Sequence, residues 1–113
     1  MTNPTMPPAP TPAKLKQQTI DLRNQAYWMR LGADALATCA TYSTKLPETK
    51  RAKYAREARK EYKQAASLYA QAAVTCETWL AAEDAKMVRW YRFFPAILRR
   101  ASLRYAAAAK LIK

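Results

Sequence analysis

The chain of 113 residues has one glycine, Gly32, and its seven prolines are confined to positions 4, 7, 8, 10, 12, 47 and 95. From residue 13 to 46, and again from 48 to 94, no proline interrupts the backbone. Twenty-four alanines fill much of that space. Alanine has the highest intrinsic helix propensity, and the glycine and asparagine that tight β-turns need are scarce, so the sequence reads as all-α.

The proline positions mark the elements. Residues 1–12 hold five prolines and no charge and are expected to form an extended Pro-rich arm, since proline lacks an amide donor and holds φ near the polyproline value. Such an arm is either a free tail or a strap that orders along a neighbouring subunit. Thr11-Pro12 then reads as a helix start, with a hydroxyl acceptor for the first amides and proline at the first helical position. The first helix is predicted over about 12–45. Leu46-Pro47 ends it, because the residue before proline is pushed out of the α region. A second helix follows over 48–82. Glu83-Asp84 favours a third start through the helix dipole, giving a helix over 84–112 that Pro95 bends or divides.

Apolar spacing sets the faces. Leu15, Leu22, Met29 and Leu36 recur every seven residues, with Thr19, Ala26, Ala33 and Ala40 four after each. In the second helix Ala55, Tyr62, Tyr69 and Cys76 interleave with Ala58, Ala65, Ala72 and Trp79. The third carries Met87, Trp90, Tyr91, Phe94, Ile97, Leu98, Ala101, Tyr105, Ala108 and Ile112 as its inward face. The expected fold is an elongated antiparallel three-helix bundle, up-down-up, with alanine-rich heptad seams, residues 13–113 forming a single domain. At about 1.5 Å rise per residue each helix would be roughly 40–50 Å long.

Catalytic chemistry finds no foothold. Histidine is absent, Gly32 stands alone rather than in a phosphate loop, and the pair Glu57 and Glu61 lies among Lys53, Arg56, Lys60 and Lys63 at helical spacing. No enzyme, cofactor or small-molecule substrate is expected. Cys39 and Cys76 fall roughly 33 Å apart on folded-back helices, too far for a disulfide, and cannot alone build a zinc site. Unpaired thiols point to a reducing intracellular compartment or a particle interior. Residues 1–12 lack a basic leader, and charges interrupt every apolar stretch, so neither a secretion signal nor a transmembrane span is expected.

The charge suggests partners. The net value is +12, and residues 84–113 hold eight of the basic residues against the single acidic Asp84. Lys86, Arg89, Arg92, Arg99, Arg100, Arg104, Lys110 and Lys113 cover about half of the third helix's circumference, where a merely solvated face would mix signs. Arginine outnumbers lysine there, which suits phosphate or carboxylate. A second basic patch, Lys50, Arg51, Lys53, Arg56, Arg59, Lys60 and Lys63, opens the second helix against its dipole. The first helix instead shows a second apolar strip, Ile20, Tyr27, Trp28, Leu31 and Tyr42. That strip is explained if the helix is central in the bundle, or if it meets another protein.

Together these features predict a non-catalytic structural subunit of a larger macromolecular assembly, joined to other protein subunits and contacting nucleic acid or acidic protein through basic helix faces. Two other classes remain open. One is an autonomous, sequence-nonspecific DNA- or RNA-binding protein, although no known reader motif is present. The other is an accessory subunit of a membrane-associated complex, with Trp90, Tyr91, Phe93 and Phe94 at a membrane surface beside arginines.

Overall fold

A computed structural model describes residues 10–112, and these form an all-helical bundle: α1 (Pro12–Tyr42), α2 (Glu48–Ala82), α3 (Ala85–Tyr91) and α4 (Phe94–Leu111). The expected Pro-rich arm therefore lies, up to residue 9, outside the described residues, as does Lys113.

The helix starts follow local chemistry. Thr11 is extended, and its Oγ1 accepts from the Lys14 amide at 3.2 Å, with Pro12 following as the first helical residue. Asp84 repeats the device for α3, its Oδ1 accepting from the Met87 amide at 3.0 Å. The last turn of α2 is pinned by Trp79 Nε1, which donates to Glu83 Oε1 at 2.9 Å.

One boundary differs from the sequence reading, and at Pro95 one of its two alternatives is found. The first helix ends at Tyr42 rather than near 45, because Leu46 precedes Pro47 and the chain uses Ser43 to Lys45 to turn: Ser43 leaves the helical region at φ −83° and ψ 94°, and Leu46 N–H bonds the Ser43 carbonyl at 3.4 Å. The third predicted helix is two. Pro95 cannot donate to the carbonyl of Tyr91, and its ring crowds that carbonyl, so α3 stops at Tyr91 and α4 begins at Phe94. Arg92 and Phe93 keep right-handed helical dihedrals between them, so the ladder breaks without a reversal of the chain.

α2 is the shared wall of the structure. The closely packed pairs are α1 with α2, α2 with α4 and α2 with α3. The first helix is thus a flank, not the central element, and its second apolar strip is not explained by a flanking helix on each side. Across the α1–α2 interface Lys16 lies over the Trp79 ring at 5.8 Å, and Asp34 accepts a hydrogen bond from Tyr62. On the other side Ser102 Oγ donates to the Ala66 carbonyl at 2.8 Å, and Arg59 donates to the Ile112 carbonyl at 2.7 Å.

Small residues let these helices come close. Ala26 and Ala33 of α1 and Ala58, Ala65, Ala72 and Ala73 of α2 are fully buried. Larger groups fill the gaps between them, with Leu15, Tyr69, Cys76, Trp79, Leu80 and Leu98 in one cluster and Tyr62 joining Ala33 and Ala109 in a second. Of the inward face drawn for the third helix, Leu98 is buried and Met87, Tyr91, Ala101, Tyr105, Ala108 and Ile112 are half-buried. Trp90, Phe94 and Ile97 are exposed instead. α4 packs chiefly on α2, and this leaves those three side chains in solvent.

The close approach at alanine gives a test. Ala72→Leu should lower stability by about 1–3 kcal/mol, because the added atoms have no space between α1 and α2. Urea denaturation followed by circular dichroism reads the change, and an unaltered midpoint would show that the helices are not tightly apposed there.

Candidate interaction surfaces

The basic residues of α3 and α4 stand in solvent. Lys86, Arg89, Arg92, Arg99, Arg100, Arg104 and Lys110 are all exposed. Among the described residues there are two ion pairs, Arg30 with Asp34 and Arg99 with Glu77, so only Arg99 of this group is neutralised. Its guanidinium forks onto one carboxylate oxygen of Glu77 through Nε at 3.0 Å and through Nη2. Arg92 lies over the Phe93 ring at 4.6 Å and Arg104 over Tyr105 at 5.8 Å, contacts that orient the cations without removing their charge.

The patch at the start of α2 divides. Lys50, Lys53, Arg56, Lys60 and Lys63 are exposed, and the last four, spaced at three and four residues, share one side of the helix. Arg59 turns inward to the end of α4, where its bond to the Ile112 carbonyl satisfies a terminal acceptor. Arg51 is half-buried, beside Leu111 and Ile112, and its Nε has no hydrogen-bond partner. Of the seven cations read as anion contacts, Arg59 thus engages the protein's own C-terminal turn and Arg51 lines the cavity beside it.

The α1 residues also separate. Trp28 and Tyr42 are 70 % and 76 % exposed, Ile20 and Tyr27 are partly exposed, and Leu31 is half-buried. Tyr27 and Trp28 meet edge to face at 5.7 Å. Ile20 points elsewhere: with Thr19 and Arg23 it lines a groove whose far wall is Phe94, Ile97 and Leu98 of α4.

A polar knot at the heart of the bundle was not foreseen. Arg30 Nη1 bonds Asp34 Oδ2 at 3.1 Å, Tyr62 donates to the other oxygen of Asp34, and the Arg30 guanidinium lies 5.1 Å over Tyr27 and 5.8 Å over Tyr105. Tyr105 stacks in turn on Tyr62 and Tyr69, at 6.1 and 5.6 Å. The spacing of Arg30 and Asp34 is visible in the sequence; their partner across the helix interface is not. Asp34 holds the Arg30 guanidinium above its ordinary range. Burial, and then the bond to Asp34, push the Tyr62 phenol up from 10.0 to about 12. Beside this knot Gly32 leaves room for Glu61, whose Oε2 would lie 2.8 Å from an added Cβ.

The Tyr62 shift fixes a pH window. Below pH 10 the phenol keeps its proton in both folded and unfolded chains, so its contribution is complete; between 10 and about 12 only the unfolded chain releases it, and stability falls. Tyr62→Phe should flatten that fall. Denaturation midpoints of the two proteins across the window measure the difference, and identical slopes would contradict the placement of the phenol.

Both cysteines are free, Cys39 exposed and Cys76 buried. Burial, with Glu77 adding to it, pushes the Cys76 thiol up, which makes it inert as well as inaccessible. Iodoacetamide should therefore modify Cys39 readily and Cys76 only in denaturant, as read by mass spectrometry of the digested protein. Rapid labelling of both would mean that α1 and α2 separate in the native state.

No described helix is long and apolar enough to cross a membrane. Comparison with protein-family models, with curated proteins and with solved structures gives no match.

Proposed function

We propose that the protein is a non-catalytic subunit of a larger macromolecular assembly. In this reading residues 13–113 are one domain, an antiparallel up-down-up array with alanine-rich seams, preceded by the Pro-rich arm. The pairings of Lys16 with Trp79, Asp34 with Tyr62 and Ser102 with Ala66 support the array, and the buried alanines support the seams. Trp28 and Tyr42 meet a protein neighbour, and the basic faces meet an acidic surface. The two free thiols support a reducing intracellular setting or a particle interior.

One observation carries the proposal. Lys86, Arg89, Arg92, Arg100, Arg104 and Lys110 are exposed and enter no ion pair among the described residues. So large an excess of one sign exceeds what solubility asks of a small domain and is relieved when an anionic surface covers it. On α2, Lys50, Lys53, Arg56, Lys60 and Lys63 extend the contact, while Arg59 bonds the end of α4.

Purification of the tagged full chain from its native source at moderate salt tests the reading. It should elute with other polypeptides, and Trp28→Ala with Tyr42→Ala should release protein neighbours while Arg100→Glu with Arg104→Glu releases the acidic component. A monomer eluting alone would overturn the proposal.

A further inference from the structure

The corner between α3 and α4 combines apolar exposure with charge. Trp90, Phe93 and Ile97 are 72 %, 62 % and 56 % exposed, and Phe94 is also exposed. Their spacing of three and four residues, with helical dihedrals retained at Arg92 and Phe93, sets them along one stripe through the break. Ile20 of α1 extends it, across the groove that Phe94 and Ile97 share with Arg23. Residues that appear similar in the sequence do not belong to the stripe: Tyr91 packs against Trp79 and Phe94 at 5.3 and 5.0 Å, and Arg99 is held by Glu77.

Basic charge predominates around the stripe, with the exposed Asp21 next to Ile20 as an acidic neighbour. Arg23, Arg89, Arg92 and Arg100 are exposed beside it, and no acidic residue occurs from 85 to 112. We propose that this corner is a membrane-surface contact, in which Trp90, Phe93, Phe94 and Ile97 enter the headgroup region of an anionic bilayer while the flanking arginines bind lipid phosphates. This inference rests on the reading that the basic faces meet an acidic surface, and it names that surface for α3 and the start of α4.

The side-chain chemistry selects lipid over nucleic acid. Base stacking needs a free aromatic face, yet Arg92 already lies on the Phe93 ring at 4.6 Å, and Ile97 and Ile20 offer no π-face at all. A bilayer interface accepts aliphatic and aromatic groups alike, favours tryptophan at its boundary, and lets arginine reach the phosphates on a long stem. An acidic plane of laterally mobile lipids also suits cations that flank the stripe on both sides instead of matching one fixed partner charge.

The test uses the full chain carrying Trp28→Phe, so that Trp90 is the exposed tryptophan and buried Trp79 is the baseline. Vesicles of phosphatidylcholine with about one-third phosphatidylglycerol should co-sediment the protein at low salt, vesicles of phosphatidylcholine alone should not, and brominated acyl chains should quench Trp90. Trp90→Ala with Phe93→Ala should weaken sedimentation roughly ten-fold or more while circular dichroism stays unchanged, since both side chains stand in solvent. Sedimentation without quenching would overturn insertion and leave a purely electrostatic contact. Failure to sediment would overturn the lipid assignment; if single-stranded RNA or an acidic polypeptide then bound the same protein, the acidic-surface reading would survive, and if neither bound, both would fall.

Discussion

Everything else in the structure hangs on how closely α1 and α4 approach α2. Ala26 and Ala33 of α1 and Ala58, Ala65 and Ala72 of α2 are fully buried, and a side chain that ends at Cβ does little to hold neighbouring helices apart. Alanine leaves a thin core, in which Trp79, Tyr69 and Tyr62 are large buried groups and Tyr105 stacks on the last two. The same thinness explains why so many large apolar side chains remain outside. A bundle built on alanine contacts has few places to put Trp28, Trp90 or Phe93.

Much of this was legible from local signals. Thr11-Pro12 and Asp84 act within one helical turn, and their capping bonds sit where the sequence indicates. The buried line through Ala58, Tyr62, Ala65, Tyr69, Ala72, Cys76 and Trp79 likewise follows from a repeat that needs no knowledge of the partner helix. What sequence periodicity does not contain is which helix lies in the middle. An alanine-rich face fits one neighbour or two equally well, and α1 was as good a candidate for the centre as α2. The outcome at Pro95 was hidden for a related reason: proline announces an interruption but not whether the helix bends or divides there.

The basic residues show the same division between local and tertiary information. Exposure of Arg100 and Lys110 follows from their place away from the buried side of α4. By contrast, the inward turn of Arg59 depends on the end of α4 arriving fifty-three residues later in the chain, and the pairing of Arg99 with Glu77 spans twenty-two. The Asp34 carboxylate, bonded by Arg30 and Tyr62 together, is another site that exists only once two helices are in register. Because Asp34 ties α1 to Tyr62 of α2, the set bears on the register of the two helices as well as on stability.

The beginning of α2 has a thermodynamic meaning of its own. Pro47 supplies no side-chain cap there, and Lys50, Arg51 and Lys53 stand near the positive end of the helix dipole. The early turns of the central helix are tied to the end of α4 by the bond from Arg59 to the Ile112 carbonyl. Two chain segments far apart in sequence, the entry to α2 and the exit of α4, consequently form one cooperative unit. An anion seated among those lysines would relieve the dipole conflict and tighten the last turn of α4 in the same event, so that ligand occupancy at one end of the rod would register as protection of backbone amides at the chain's far terminus.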